Sequence, residues 1–399
     1  MSEPSPAPTP TVNDMTFNQL STVLNSIASQ ATGKAQITPV NTNEFVSLAQ
    51  TTLKTGYDPV LSAVSQVLSR TIFSNRPYSA KFRGLMADSI RYGNHVRKLQ
   101  VADGTFRDDD RYGLTDGYSV DQQIVCKPNV LQTNFYGTNV WEKCLTIFKD
   151  QLDCAFSSEE EFRRFISMTQ QNVVDMLEQG REVTARASLA NFIGAKIEAD
   201  EDNVIHLVTE FATEFGIEDG DEDTVLTTHF VEFMKWAFAR IKTISDRMTE
   251  RSIIYHMNIT DKAISRHTPY SMQKFYLYSP IINQIDSTVL SSVYNDQYLR
   301  MADHEKVNYW QAITDPAKIS VVPNYISSSG AVTVAESAVV QDMVFGILFD
   351  EEAIGYTTIN QWSQPAPFNA RGGYTTIWWH ESHRYWNDLT ENAVVFLLD

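Results

Sequence analysis

Residues 391–399 read ENAVVFLLD, and residues 377–386 before them read IWWHESHRYW. The short apolar run from Ala393 to Leu398 is typical of a buried strand. Because a chain end usually frays unless tertiary contacts hold it, we expect this strand to lie in a core built from earlier segments of the chain. The stretch therefore predicts a sheet whose last strand closes the fold.

Length and composition limit the classes of protein that this sequence can belong to. The chain has 399 residues, more than one small core holds, so we expect two or three lobes. A hydrophobic content of 43% and a mean hydropathy of −0.26 are typical of a soluble protein. The 49 acidic and 32 basic residues give a formal charge of −17, which argues against a surface that grips nucleic-acid phosphates.

The cysteines and the start of the chain indicate a cytosolic origin. Cys126, Cys144 and Cys154 are odd in number and show no CxxC spacing, so we expect reduced thiols rather than disulfides or a zinc site. The N-terminus is rich in Pro, Ser and Thr, and we predict no signal peptide and no membrane association.

The N-terminal segment is predicted to be an arm without a core of its own. Residues 1–12 contain four prolines among small polar residues, a composition of extended chain. Phe17, Leu20, Leu24 and Ile27 then recur at helical spacing. Such a stripe must cover a distant part of the same chain or a neighbouring subunit, and our hypothesis is that it contacts a neighbour.

Residues 89–136 are predicted to form a long β-hairpin. Its second arm, residues 118–130, alternates apolar and polar side chains, and residues 103–117 hold turn-forming residues and a charged tip. Because two strands alone are marginally stable in water, we expect the hairpin to lie across an adjacent subunit. The hairpin residues predicted at that interface are Arg107, Asp109, Arg111, Tyr118, Val120 and Ile124.

The longest predicted helix begins after Ser158, which forms a capping box with Glu161. An apolar stripe then continues for more than thirty residues, which predicts a rod of about 50 Å. Leu177 lies on this stripe and is expected to face the core, whereas Glu178 is expected to be exposed. Gly180 interrupts the stripe and marks a place where the rod could bend.

Sequence motifs typical of catalytic, cofactor-binding or metal-binding sites are mostly absent. His380 and His383 have the spacing of helical metal ligands, but their segment reads as a strand, where residues three apart point to opposite faces. Walker, GxGxxG, GxSxG and HExxH motifs are absent. We therefore predict no enzyme activity, no metal site and no cofactor. A metal-dependent hydrolase that uses these two histidines stays open as an alternative, as does a monomeric binding module.

The order of these parts resembles a known family. Arm, long hairpin, capped spine helix, second helix, mixed α/β segment and returning strands follow one another as in the major capsid proteins of tailed bacteriophages, whose Hong Kong 97 fold encapsulin shells share. The resemblance is most specific at residues 155–197 and 371–398. There, Arg371-Gly372-Gly373-Tyr374 and residues 391–396 look similar to the ends of shell proteins from small short-tailed phages.

The resemblance implies an α+β fold of the Hong Kong 97 type with an arm, an extended loop, a peripheral domain and an axial domain. The implied divisions are 1–56 for the arm, 57–83, 138–260 and 372–399 for the peripheral domain, 84–137 for the extended loop, and 261–371 for the axial domain.

The resemblance also implies a function. The chain is expected to be a virion subunit that is made in the bacterial cytoplasm and self-assembles into hexamers and pentamers of an icosahedral shell around double-stranded DNA, without reading its sequence. The implied partners are further copies of the chain, a separate scaffolding protein, a portal complex and, as a further candidate, a decoration protein. An encapsulin compartment around a cargo enzyme is the alternative within the fold.

Overall fold

A computed structural model gives the architecture of the chain. It describes residues 17–34, 36, 38–71, 82, 85, 95–101, 109–120, 123, 125, 127, 130–136, 138–217, 222–260, 264–288 and 304–399. Within these ranges the helices are α1 (Phe17–Thr32), α2 (Thr42–Leu53), α3 (Tyr57–Thr71), α4 (Lys149–Ala155), α5 (Glu159–Ala199), α6 (Leu207–Phe215), α7 (Glu222–Thr228), α8 (Phe230–Met248) and α9 (Ser279–Thr288).

The strands in the same ranges belong to two larger sheets and three two-stranded ribbons. They are β1 (His95–Val101), β2 (Val130–Tyr136), β3 (Asn139–Phe148), β4 (Val204–His206), β5 (Gln273–Tyr278), β6 (His304–Val307), β7 (Ile319–Val321), β8 (Asn324–Ile326), β9 (Val332–Val334), β10 (Val339–Gln341), β11 (Val344–Asp350), β12 (Ile354–Pro365), β13 (Tyr374–Asn387) and β14 (Ala393–Leu397).

The predicted closing strand lies in a central sheet of order β4-β14-β11-β5-β6. Val395 of β14 pairs in parallel with Val204 and antiparallel with Ile347, so the strand has a neighbour on each side. Every residue of β14 is buried. This sheet packs with α6, α8 and the C-terminal part of α5 in the larger hydrophobic core, and the prediction of a closing strand assembled from distant segments is confirmed.

A second sheet, of order β12-β13-β3, backs a second hydrophobic core. Along β13 the odd-numbered side chains from Thr375 to His383 are buried and the even-numbered ones are half-buried, the alternation of a sheet with one inner face. Ile377 and Trp379 thereby enter the second core together with side chains of α1, α2, α3, α4 and α5.

Of the two alternatives for the N-terminal stripe, the structure shows cover by other parts of the same chain. Leu20, Leu24 and Ile27 are 0% exposed in the second core, and Phe17 is partly buried against it, with its ring 6.2 Å from that of Phe45. The cover comes from α3 and α2, and the same core also holds side chains of the N-terminal half of α5 and of β13, which lie far away in the sequence. These side chains are therefore not available as an interface with a neighbour in this structure.

The spine helix α5 has 41 residues, about 60 Å at 1.5 Å per residue, and joins the two cores. The Ser158 hydroxyl accepts a hydrogen bond from the Glu161 amide at 3.2 Å, so the predicted N-cap is confirmed. At Gly180 a Cβ atom would lie 2.7 Å from the ring of Trp141, so this glycine permits a close approach of β3 to α5.

The β1–β2 ribbon differs from the predicted hairpin. β1 pairs antiparallel with β2, from His95 opposite Tyr136 to Val101 opposite Val130. The prediction that residues 118–130 form the second strand is wrong, because its described part up to residue 127 is a loop and the strand begins only at residue 130. The described residues from 118 to 127 are exposed, so alternation of apolar and polar residues does not mark a paired strand there.

The central sheet crosses the predicted domain boundaries. β4 and β14 come from segments assigned to the peripheral domain, whereas β5, β6 and β11 come from the segment assigned to the axial domain. Residues 204–206 and 393–397 therefore share a core with residues 273–307, because β14 fills the space between β4 and β11.

Candidate functional site

An open groove of about 1210 Å³ runs along one side of the spine helix. Its floor is the face of α5 that carries Gly180, Val183 and Ala187, and its walls come from the β2–β3 corner, the β8–β9 ribbon and the end of β13. Small residues on that face of α5 leave the space open. The apolar wall and floor residues that solvent reaches are Tyr136, Met176, Val183, Val332 and Tyr385.

The groove lies where the sequence predicts core. Val183 belongs to the predicted apolar stripe but is 60% exposed, and Ala187 is also exposed. Near residues 178–186 the buried side of α5 is rotated from that stripe and carries Glu178, Glu182 and Arg186. An exposed apolar groove of this size, bordered by polar residues, is typical of a site of protein contact.

The β1–β2 ribbon presents a second apolar surface. Lys98, Leu131 and Thr133 point toward the body of the subunit, whereas Leu99, Val101 and Val130 point outward with exposed fractions of 61%, 61% and 43%. Leu99, Val101 and Val130 are therefore apolar residues of the ribbon that the subunit itself leaves exposed. We name Leu99, Val101 and Val130 the ribbon face.

Four of the six hairpin residues predicted at an interface lie in described parts of the segment between β1 and β2. Asp109 accepts hydrogen bonds from the Arg111 backbone amide at 3.0 Å and from its guanidinium at 2.8 and 2.9 Å, so these two residues form an ion pair with each other. Tyr118 and Val120 are 78% and 37% exposed. Arg107 and Ile124 lie outside the described residues.

Buried charges fix the spine helix to the sheet of β12, β13 and β3. The Arg181 guanidinium donates hydrogen bonds to Glu178 at 2.7 Å and to Glu381 at 2.8 and 3.0 Å. Burial raises the pKa of the Glu381 carboxyl, and Arg181 opposes that shift. Burial and the nearby Arg181 together lower the pKa of His383 to about 4, so this imidazole is neutral near pH 7.

A second charged cluster ties the ribbon to the turn between β13 and β14. Lys98 of β1 lies 3.2 Å from Asp388 and also forms an ion pair with Glu391, which accepts a bond from Arg266 at 2.7 Å. Burial raises the pKa of Glu391 to about 7, although Lys98 and Arg266 oppose the shift. The orientation of the ribbon on the body is therefore set by buried charges.

The two histidines of the possible metal motif lie on opposite faces of β13. His380 stacks on the ring of Trp362 with centroids 4.0 Å apart on the outer face, whereas His383 is 1% exposed and lies beside Trp141 on the inner face. Across the part of the chain that the structure describes, no group of three or more His, Cys, Asp or Glu side chains could hold a metal ion.

Two further findings concern the cysteines and the membrane. Cys144 and Cys154 carry free thiols and are exposed, while Cys126 lies outside the described residues. Among the described helices, none is both long and apolar enough to cross a membrane.

Sequence reasoning missed both the groove and the charged clusters. Four segments that are distant in sequence line the groove, and Arg181 is 200 residues from Glu381. The one local signal was the presence of Glu178, Glu182 and Arg186 within a helix whose apolar stripe left little room for an inward charged face. Spacings of three and four between opposite charges are equally common on exposed helices, so that signal alone was ambiguous.

Comparisons with known proteins give one family. The model of the Phi29-like phage major capsid protein family matches residues 21–397. A comparison with curated protein sequences gave no significant match.

Solved structures resemble the fold. The capsid structure of Staphylococcus phage Andhra is similar over 81% of this chain and 85% of that chain, with a TM-score of 0.53 and 10% identity. A chain in the structure of the head fiber and inner core protein gp22 of native bacteriophage P68 is similar over 80% of this chain and 85% of that chain, also with a TM-score of 0.53 and 10% identity. At this identity the likeness is one of fold.

Proposed function

The chain belongs to the Phi29-like phage major capsid protein family and is a structural subunit of a phage shell, and from that premise we propose how its copies assemble. Hexamers and pentamers of this one chain close into an icosahedral container for double-stranded DNA. The role is structural and includes no enzymatic step. Family membership does not favour the encapsulin or hydrolase alternatives.

The proposed contact joins the ribbon of one subunit to the groove of the next. The ribbon has seven residue pairs, so its two ends are about 20 Å apart at 3.4 Å per residue. Asn134 and Tyr136 at one end line the groove, whereas Val101 and Val130 at the other end lead into the loop. The end of the ribbon that carries Val101 and Val130 thus lies away from its own groove, and a neighbour's groove offers apolar cover.

A contact of this kind joins two different surfaces. Repeated by rotation, such a head-to-tail contact generates closed rings, which is the geometry that hexamers and pentamers require. The observation that carries the proposal is the pair of unmatched apolar surfaces, the ribbon face and the groove, on a chain of the capsid family.

The lobe around the central sheet is the proposed axial domain at the centre of each ring. It includes residues 204–206 and 393–397 in addition to β5, β6 and β11 of the segment 261–371, since these strands share one sheet. The sheet of β12, β13 and β3 with the N-terminal half of α5 and the helices α1 to α4 is the proposed peripheral domain.

The remaining partners follow from charge and from family membership. A formal charge of −17 suits a wall that encloses DNA without holding it, because like charges repel the phosphates. We further propose a separate scaffolding protein, a portal complex and a decoration protein as partners.

One experiment tests the contact. Val183→Asp in the groove and Leu99→Asp on the ribbon face place a charge in an apolar contact, so each should lower the yield of closed particles at least about tenfold, since each 1.4 kcal/mol lost per contact is a factor of ten. The yield is measured by sedimentation and counted by negative-stain electron microscopy.

Val340→Asp is the matched control, because Val340 is 53% exposed and does not line the groove. Circular dichroism of the unassembled subunit should be the same for all three variants. Normal yields from both Val183→Asp and Leu99→Asp would contradict the contact, and particles without nucleic acid from infected cells would contradict the DNA container.

A further inference from the structure

The groove along α5 is lined by uncharged side chains. None of the described residues that line it is charged, although the chain carries a formal charge of −17. The lining includes the rings of Tyr136, Trp141, Tyr325, Tyr385 and Trp386. Such a surface offers flat apolar contacts with polar groups at their edges, and it gives a charged ligand no partner for an ion pair.

Side-chain amides lie among these rings. Asn191 is already used within the subunit, since it donates to the backbone carbonyl of Asn324 at 3.0 Å. The side chains of Asn139, Gln179 and Asn324 also line the groove and are exposed, and they form no hydrogen bond within the part of the chain that the structure describes. These three amides are therefore available to a ligand in the groove.

Aromatic rings with amide groups between them suit a proline-rich peptide. Such a peptide adopts an extended polyproline II helix, whose backbone forms no internal hydrogen bonds and whose prolines dock in aromatic-lined grooves. Its carbonyl groups can accept hydrogen bonds from side-chain amides. The groove thus fits an uncharged, proline-rich ligand.

The chain itself carries a segment with this chemistry before α1. Residues 4–12 read PSPAPTPTV, with proline at every second position from Pro4 to Pro10 and no charged side chain. This segment lies outside the described residues and is joined to α1 through residues 11–16.

The start of α1 lies beside the start of the spine helix. The ring of Phe17 is 6.2 Å from that of Phe45, which is 5.6 Å from the ring of Phe162 in the first turn of α5. The segment before Phe17 is therefore attached near the N-terminal end of the helix whose later turns form the groove floor.

The lengths of the segment and of the groove agree. Counted from Phe162, the groove floor begins at Met176 and ends at Asn191, about 21 to 44 Å away along α5 at 1.5 Å per residue. Counted from the start of α1, Pro10 and Pro4 would lie about 22 and 40 Å away in a polyproline II helix at 3.1 Å per residue. The four prolines can therefore span the groove floor.

We propose that residues 4–10 lie in the groove of their own subunit before assembly, with the proline rings on the tyrosine and tryptophan side chains. A segment of the same chain has an effective concentration of roughly millimolar, so a dissociation constant of about 0.1 mM would already fill the groove about nine-tenths of the time. The proposal rests on the proposed function in one respect, because a neighbour's ribbon can enter the groove only after the segment has left it.

Hydroxyl-radical footprinting of the unassembled full-length subunit tests the proposal, because it reports the solvent exposure of single side chains. The comparison is with a full-length variant that keeps the length and charge of the segment and replaces Pro4, Pro6, Pro8 and Pro10 by Ala. Met176 in the groove should be oxidised at least about threefold more slowly in the wild type than in this four-proline variant. Equal oxidation of Met176 in both chains overturns the proposal.

Met168 is the matched control on the same helix. It is 69% exposed and does not line the groove, so its oxidation should be equal in the two chains. Circular dichroism should also be equal, since the substitutions lie before α1.

Two further measurements identify the occupant. A peptide of residues 1–12, added to the four-proline variant at millimolar concentration, should restore the protection of Met176, whereas the same peptide with alanine at the four positions should not. Failure of the proline peptide overturns the groove as its binding site. Protection that is lost on dilution of the wild type would indicate a segment from a second copy and overturn the assignment to the same chain.

The wild type alone keeps the proposal testable if the variant does not fold. From their exposed fractions of 38% and 69%, Met176 should react roughly half as fast as Met168 in an empty groove, and occupancy should lower that ratio to less than about one fifth. A ratio near one half overturns the proposal. Particle yield with Leu99→Asp tests the shell contact without a change in the groove lining, so failure of one proposal is distinguishable from failure of the other.

Discussion

At the scale of single residues, Arg181 decides how the spine helix meets the sheet. Its guanidinium is 12% exposed and bridges Glu178 on the same helix and Glu381 on β13. The sequence pattern predicts Glu178 on the outside, whereas its side chain is 3% exposed and Leu177 beside it is only partly buried. A buried cluster of charged side chains, formed by Glu178, Arg181 and Glu381, therefore lies between the two cores along α5.

Arg181→Met should destabilise the unassembled subunit by about 3 to 5 kcal/mol, because the substitution leaves two buried carboxylates without their shared cation. Urea denaturation at pH 7 measures the free energy of unfolding. Arg164→Met on the same helix is the control, since Arg164 is 66% exposed and its pairs with Glu160 and Glu161 contribute about 0 to 1 kcal/mol. Similar losses of unfolding free energy for both variants would show that the buried cluster around Arg181 contributes no more to stability than an exposed ion pair.

At the scale of elements, the central sheet depends on a close approach between β11 and β5. Gly346 lies opposite Leu277, next to an irregularity in the pairing of β11 with β14. A Cβ atom at this position would lie 2.7 Å from the backbone oxygen of Tyr276 and 2.8 Å from the Leu277 side chain. Backbone cannot yield as a flexible side chain does, so glycine is required here for packing.

Gly346→Ala should therefore cost about 1 to 3 kcal/mol, the usual range for forcing an extra carbon into a packed core. Gly113→Ala is the matched control, because a Cβ there meets nothing within 4 Å, and we expect an unchanged or slightly higher stability. Thermal unfolding of the unassembled subunit followed by circular dichroism compares the two. A melting temperature of Gly346→Ala equal to that of the wild type would refute the packing argument.

At the scale of the whole molecule, two hydrophobic cores share one helix. α1 is part of the second core, with Leu24 at 0% exposure, and so the N-terminal segment from Phe17 is a component of the subunit's own fold. Damage to α1 should thus affect folding before it affects assembly.

Leu24→Ala should lower the stability of the unassembled subunit by about 2 to 5 kcal/mol, as expected for truncation of a buried leucine. Val40→Ala should be nearly silent, because Val40 is 81% exposed. Chemical denaturation reports both values. A silent Leu24→Ala variant with a large loss of particles would instead support the original expectation of a contact between subunits.

In this chain, local sequence signals predict the helices and strands better than they predict which distant segments pack against them. The apolar run 393–397 and the Ser158 cap are complete within a few residues, and both are confirmed. Leu20 and Leu24 share their core with Ile377 and Trp379, which lie more than 350 residues later in the sequence. The helical periodicity of apolar residues cannot show which distant residues will pack against them. The groove is likewise formed only when distant segments meet, and alternation at residues 118–130 does not distinguish a paired strand from an exposed loop.

The position of β14 between β4 and β11 has a consequence during translation. The ribosome adds β4, β5 and β11 before residues 393–397, so the nascent central sheet lacks an inner strand until those residues have been added. Long-range strand pairing of this kind is slow and exposes apolar edges meanwhile. We expect a growing chain to complete its central sheet only after residues 393–397 have emerged from the ribosome, so stable association with other copies should follow that step.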